Sequence, residues 1–357
     1  MLLCTLFFFS LVHSTFTLET LGTVISYYPK TKHSDGSVEV VVRMLVISRD
    51  CSPGFWQCYS GECGNVISAV SHIIYEDEDE YCQVEQVFTL HVPTNAPFVI
   101  RSNLDEDGDQ DNLEMNETWK NLTEVDLRTR SDTGKANSSP QTSVLPNIRV
   151  PVNCQRNYQL LKFDPDGDDI QCRLLAITHL KCDNCDAAAL LPSFFNSEPC
   201  MIKYTPNLIQ PGNQLKVNQI MEDFPKTSLN LTYTNGTKET RTSSDSIGKV
   251  PVQFIFTVDS SVPDCKEGLY LPKFFTRLLN MKPNSAELLH NGPLNMTVVR
   301  TGLKEFALVW SPTEEQVNHH PVCYALQVTS KGTWEQVGVP CLRDYNGRPN
   351  FVWGDAL

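Results

Sequence analysis

Val38-Glu39-Val40-Val41-Val42-Arg43-Met44-Leu45-Val46-Ile47 is apolar at every position but Glu39 and Arg43, and most of its residues are β-branched. Two substituents on Cβ suit a pleated surface, and an apolar run of this length reads as a central strand covered by neighbours. The turn Ser34-Asp35-Gly36 stands just before it. Further along, Gln83 to Val92 partly alternates, which predicts a strand with one wet face. Ile170 to Ile177, Gln214 to Met221, Ser228 to Tyr233 and Val250 to Val258 have the same strand character, with Gly, Pro, Asn and Asp between them. Near the end, Val322 to Val328 and the Thr-Trp-Glu-Gln-Val stretch starting at Thr333 read as two more. No amphipathic helix of three turns or more stands out, and no internal repeat suggests a solenoid. The expected fold is all-β: tandem antiparallel β-sandwich modules with disulfides and a long acidic linker.

Cysteine spacing supplies the organisation. After Cys4, the cysteines fall into three even groups: Cys51, Cys58, Cys63 and Cys82; Cys154, Cys172, Cys182, Cys185, Cys200 and Cys265; Cys323 and Cys341. Even groups are what separately oxidised domains leave behind, so the chain is expected to be made in an oxidising compartment. Cys323 and Cys341 are expected to bond across neighbouring strands. The rival arrangement joins Cys265 to one of them.

Residues 1–14 form an apolar run too short to span a bilayer and end at Ser14, a signal-peptide pattern that would remove Cys4. Six Asn-x-Ser/Thr sequons, Asn116, Asn121, Asn137, Asn230, Asn235 and Asn295, support export and mark expected surface. No later run has the length and apolarity of a transmembrane helix. A net charge of −13 without a Lys/Arg cluster argues against nucleic acid and anionic membrane as partners.

Composition divides the remainder into a disulfide-bonded β domain (15–100), an acidic glycosylated linker (101–145), a β-sandwich (146–262) and a second sandwich (263–357). The stretch 101–145 is rich in Asp, Asn, Ser and Thr and poor in aliphatics, so it is expected to be exposed.

Asn103-Leu104-Asp105-Glu106-Asp107-Gly108-Asp109-Gln110-Asp111-Asn112-Leu113-Glu114 can be laid on the calcium loop of an EF-hand. Asn103, Asp105, Asp107, Asp109 and Asp111 then supply oxygens, Gly108 the sharp turn and Glu114 the closing carboxylate. A solvated acidic linker is the other reading of the same residues. The Asp164-Pro165-Asp166-Gly167-Asp168 turn has Arg173 where a closing Glu would stand, so it reads as a strand connector. Cys182-Asp183-Asn184-Cys185 has zinc-knuckle or redox spacing, with His179 and Cys200 near enough to complete a site, yet oxidising conditions favour disulfides. His319-His320-Pro321 reads as a turn before a strand. No Gly-x-Ser-x-Gly elbow, His-Glu-x-x-His pair or phosphate loop is present, and the chain is read as a non-enzyme without a cofactor other than calcium.

Val150 to Arg173, with its strand, Asp-Pro-Asp-Gly-Asp turn and second strand, resembles cadherin-like and fibronectin-type-III-like modules of animal extracellular proteins. Glu222-Asp223-Phe224-Pro225 and Cys265-Lys266-Glu267-Gly268 resemble the same type of module and its joint, and the resemblance covers about Val150 to Val328. It implies a β-sandwich fold. The expected function is a secreted extracellular glycoprotein acting as a binding, adhesion or matrix module toward a protein or glycan. A secreted hydrolase of glycosidase type and a calcium-dependent lectin-like binder are the alternatives.

Overall fold

The computed structural model describes residues 20–76, 81–102, 121–142, 144, 146–160, 162–181, 200–206, 208–263, 265, 285–290, 296–300, 306–310, 322–330, 333–337 and 341–342. No helix occurs among them. The first half contributes β1 (Thr20–Lys32), β2 (Val38–Ser48), β3 (Trp56–Ser60), β4 (Asn65–Glu76), β5 (Cys82–Val92), β6 (Phe98–Ser102), β7 (Leu122–Val125) and β8 (Thr129–Arg130). There follow β9 (Asn147–Pro151), β10 (Arg156–Gln159), β11 (Asp169–Lys181), β12 (Met201–Tyr204), β13 (Gln214–Phe224), β14 (Leu229–Thr232), β15 (Lys238–Arg241) and β16 (Lys249–Asp259). Six more are β17 (Ser285–His290), β18 (Met296–Arg300), β19 (Phe306–Trp310), β20 (Val322–Ser330), β21 (Thr333–Val337) and β22 (Cys341–Leu342).

β2 is the central strand its composition implies. It pairs with β1 on one edge and β5 on the other, both antiparallel. Since side chains alternate across a strand, Val38, Val40, Val42, Met44 and Val46 enter one apolar cluster with Ile25, Tyr27, Phe88, Leu90, Phe98 and Ile100. Leu45 and Ile47 enter another, with Val217, Val250, Val252, Phe254 and Phe256. The β1–β2 hairpin closes on the Ser34-Asp35-Gly36 turn: Ser37 N–H donates to Asp35 Oδ1 at 2.9 Å, and Gly36 takes φ +93°, a value that glycine adopts without Cβ strain.

β5 departs from the expected wet face. Gln83, Glu85 and Thr89 are all buried, with Glu85 paired to the buried guanidinium of Arg43. Its period-2 polarity is real, but both faces of β5 are buried along the strand. Alternation in sequence therefore marks two chemically different faces and does not identify water as the second environment.

An eleven-stranded sheet runs through both of the first two cysteine groups. Its junction is β16. One edge of β16 pairs along its length with β13, while the other meets β7 at Lys249, β1 at Val252 and, in parallel, β9 from Ile255 onward. The approach of β1 depends on Gly22, where a Cβ would stand 2.8 Å from the backbone oxygen of Gln253. The residue spans 15–100 and 146–262 thus contribute strands to a common sheet. Cysteine parity reports which loops are covalently closed, and strand pairing between the loops is independent of it.

The linker assignment needs a similar correction. The described part of 101–145 supplies β7 and β8 and buries Leu122, Val125, Leu127, Arg128, Arg130 and Asn137. Its polar side chains are buried because they bond to each other and to the turn at Asp164, a pairing that composition does not reveal. Residues 103–120, which hold the acidic run, lie outside the described residues.

Four disulfides are formed: Cys51–Cys82, Cys58–Cys63, Cys154–Cys265 and Cys172–Cys200. All remain within the cysteine groups read from the sequence. Bonding of Cys265 to Cys154 removes it as a partner for the last two cysteines, and Cys323 lies directly opposite Cys341 in the antiparallel register of β20 and β22. Disulfides of this kind belong to an oxidising compartment. No helix among the described residues is long and apolar enough to cross a membrane.

Candidate functional site

The residues Asp126-Leu127-Arg128-Thr129-Arg130 carry two guanidinium groups two positions apart, and both are desolvated. Arg128 and Arg130 have side-chain exposures of 1 % and 0 %. Arg128 donates from Nε to both Asp126 carboxylate oxygens (2.9 and 3.1 Å) and from Nη1 to the Tyr233 hydroxyl (3.1 Å) and Glu239. Arg130 holds Asp168 through Nη1 and Nη2 (2.8 Å for the latter) and Asp132 through Nε (3.0 Å) and Nη2 (2.8 Å). Its Nη1 also reaches Asn137 Oδ1 at 2.5 Å. Bidentate pairing is what the planar guanidinium is built for, and Lys could not reproduce it.

Three further carboxylates meet this clamp. Asp164 opens the turn before β11: its Oδ1 accepts the backbone N–H of Asp166 (2.9 Å) and of Asp168 (3.1 Å). Asp166 Oδ2 accepts from Ser138 N–H at 2.7 Å. Asp223, at the end of β13 and 0 % exposed, accepts from Asn137 Nδ2 at 3.0 Å and from the Gly248 N–H at the start of β16. Carboxylate oxygens of Asp164, Asp168 and Asp223 all lie within 4.8 Å of one another. The second oxygen of Asp164, in a residue only 7 % exposed, has no hydrogen-bond partner.

Burial dominates the titration of these groups. It pushes Asp164 up to about 7, with the charges of Asp168 and Asp166 adding to the effect against the two backbone N–H donors. Burial raises Asp223 well above the carboxylate range as well, reinforced by Asp164, and raises the nearby Tyr27 hydroxyl. Burial also opposes the charge on Arg130, but the carboxylates of Asp168 and Asp132 hold it firmly protonated.

A stability trend follows. An unfolded Asp titrates near 3.9, so an Asp164 raised to about 7 binds more protons folded than unfolded between those values. Its contribution is present at low pH and lost as pH rises from about 4 to about 7. In chelator-containing buffer, urea unfolding is expected to show at least about 2 kcal/mol less stability at pH 7 than at pH 5, the raised Asp223 acting in the same direction, and Asp164→Asn is expected to reduce that difference without abolishing it. A wild-type profile that climbs between those pH values contradicts the raised value.

Other sequence candidates fall as follows. Asn103, Asp105, Asp107, Asp109, Asp111 and Glu114 lie outside the described residues, as do Cys182, Cys185, His319, His320, Asn116 and Asn295. Cys200, weighed as a ligand beside Cys182 and Cys185, is bonded to Cys172. Asn230 and Asn235 are exposed, and Asn121 is half-buried with its Oδ1 accepting from Gln253 Nε2 at 3.0 Å. Asn137 is the exception among the sequons: it is 0 % exposed, and the nitrogen a glycan would occupy donates to Asp223 and to the Ser138 carbonyl. A bulky polar glycan has no room there. Peptide mass mapping after enzymatic deglycosylation is expected to find Asn230 and Asn235 converted and Asn137 intact. Conversion at Asn137 in folded protein contradicts its place in the network.

The Asp164 turn reads in the sequence as a connector because a calcium loop of this kind takes its closing carboxylate from the same loop, where Arg173 stands. Here the carboxylate is instead Asp223, delivered by β13. The Glu222-Asp223-Phe224-Pro225 segment was noticeable, but nothing in its spacing connects it to the turn.

A second feature is an apolar edge. β4 is hydrogen-bonded only to β5 among the described strands, and Val66, Ile67, Val70 and Ile73 along it are 44–56 % exposed. Compared with family models, curated proteins and solved structures, the chain matches none.

Proposed function

We propose that this chain is a secreted extracellular glycoprotein that works by binding, with a protein or glycan as partner, and that β4 is its contact edge. The observation that carries this reading is the exposure of Val66, Ile67, Val70 and Ile73 on a twelve-residue terminal strand of the large sheet. Long apolar edges invite pairing with another chain, and proteins that do not use them shield them with charge, proline or a covering element. The four positions named carry neither charge nor proline, and they stay exposed although β17 approaches β4. The disulfides, the sequons and the likeness of Val150 to Val328 to cadherin-like and fibronectin-type-III-like modules support the extracellular setting.

The carboxylate cluster favours binding over glycoside hydrolysis. Its members are enclosed by the segment 126–141 and by the start of β16, whereas a glycosidase pair must face a cleft that admits a sugar ring and water. The test compares the secreted, glycosylated wild type with Ile67→Lys/Val70→Lys on arrays of extracellular proteins and glycans. A partner retained by the wild type is expected to be lost at least about tenfold by the double variant, the cost of about 1.4 kcal/mol that charge on such an edge readily imposes. Equal retention by both removes β4 from the reading.

A further inference from the structure

We propose that Asp164, Asp168 and Asp223 bind a divalent, oxygen-preferring cation, Ca2+, which fastens the turn before β11 to the end of β13 beneath the segment 126–141. The spacing fits such an ion. Ca2+ keeps its oxygens at 2.3–2.6 Å, so two of its ligands can stand at most about 5 Å apart, and the three candidate oxygens lie within 4.8 Å of one another.

The unpartnered oxygen of Asp164 is an independent indication. A buried carboxylate oxygen without a donor is costly and rare, and the residue that carries it belongs to the three-carboxylate cluster. Charge leads to the same place. Of Asp164, Asp166, Asp168 and Asp223, Asp168 is held by the guanidinium of Arg130, which is itself shared with Asp132, while Asn137 and Ser138 donate to Asp223 and Asp166. The other polar groups facing the cluster, Asn137, Ser138 N–H, Gly248 N–H and the Tyr27 hydroxyl, bring no positive charge. Arg130 binds both oxygens of Asp168, but each carboxylate oxygen has lone pairs to spare.

The donor set selects the kind of ion. All three ligands are carboxylates, and neither a thiolate nor an imidazole is among them, which suits a hard cation and disfavours zinc or copper. Mg2+ demands a tighter octahedron and parts with its waters reluctantly, so a buried set of protein carboxylates favours Ca2+. This site is distinct from the acidic run at Asp105 to Asp111 and does not depend on the role of β4.

The experiment uses the full secreted chain, stripped with chelator and equilibrated with radioactive Ca2+ at physiological ionic strength. The wild type is expected to bind at millimolar Ca2+ or below, and Asp164→Asn/Asp223→Asn to bind one equivalent fewer. A variant with Asp105, Asp107, Asp109 and Asp111 changed to Asn is expected to keep that equivalent. Thermal unfolding separates loss of a ligand from loss of the fold. Saturating Ca2+ is expected to raise the wild-type Tm by about 5 °C. The Asp164→Asn/Asp223→Asn protein is expected to stay folded in chelator and to have a Tm indifferent to Ca2+. Should the double variant fail to fold, Asp164→Asn alone reads the same equivalent. No binding by the wild type, unchanged stoichiometry in the Asp164 variants, or loss of the equivalent on neutralising the acidic run alone overturns the proposal.

Discussion

Changing Cys154 and Cys265 together to Ser is expected to lower the free energy of unfolding by about 4–5 kcal/mol, the chain-entropy value for closing a loop of about a hundred residues. The bond joins positions 111 residues apart, and the loop it closes contains β10 to β16. Its surroundings would keep the native ends together without it: Val152 N–H donates to the Asp259 carbonyl at 3.0 Å, Asn153 exchanges hydrogen bonds with Val262, and Arg149 holds Asp259 in a bidentate pair. The loss therefore falls mainly on the unfolded chain, which gains freedom. That argument makes a second demand, because a less constrained unfolded state exposes more surface and steepens the urea dependence. Cys58→Ser/Cys63→Ser is the comparison. Those cysteines are five residues apart, and the same estimate gives about 2 kcal/mol. Equal losses in the two double variants, or an unchanged urea slope in the first, would falsify the entropic account.

How much of this was legible beforehand depends on the range of the forces involved. β2, β5, β11, β13, β14 and β16 were found from local composition, as β-branched runs and turn residues act within a few positions. The Ser34-Asp35-Gly36 turn was equally readable. β1 was not identified, although it lies in the sheet between β2 and β16. Thr20 to Lys32 includes Gly22, Ser26 and Pro29, poor strand formers whose place is fixed by pairing with β2 and by the close approach to β16. β4 was missed for a related reason: an edge strand with one hydrogen-bonded neighbour needs no strong pattern.

The site was legible in its parts and not in its assembly. Asp164, Asp166 and Asp168 carry a visible Asx-turn chemistry, but their charge partner and the carboxylate that completes the cluster come from Arg130 and Asp223 on other elements. A polar segment such as 126–141 is assigned to solvent when each residue is counted alone. Once Arg128 finds Asp126, Tyr233 and Glu239, and Arg130 finds Asp132, Asn137 and Asp168, the same polarity becomes the reason that the segment is buried. Composition measures the desolvation cost and is blind to the partners that offset it.

Arg130→Met isolates that offset, and it is expected to destabilise the chain by about 3–5 kcal/mol, the range for removing one partner of a buried ion pair. The stem of Arg130 is replaced by a side chain of similar shape, so packing changes little and the loss is electrostatic. Asp168, with a side chain 3 % exposed, loses both of its guanidinium hydrogen bonds, and Asn137 Oδ1 loses its donor. Asp132 is 41 % exposed and can turn to water, so it adds little. Arg130→Lys keeps the charge but has no fork to span Asp168, Asp132 and Asn137, and its cost is expected to lie between those of wild type and Arg130→Met. The decisive variant is Arg130→Met/Asp168→Asn. If the damage comes from a stranded buried charge, neutralising that charge restores stability, and two substitutions cost less than one. Urea unfolding of wild type, Arg130→Met, Asp168→Asn and the double variant in chelator closes the cycle. A double variant less stable than Arg130→Met, or an Arg130→Met protein within about 1 kcal/mol of wild type, means that the clamp is not what buries residues 126–141.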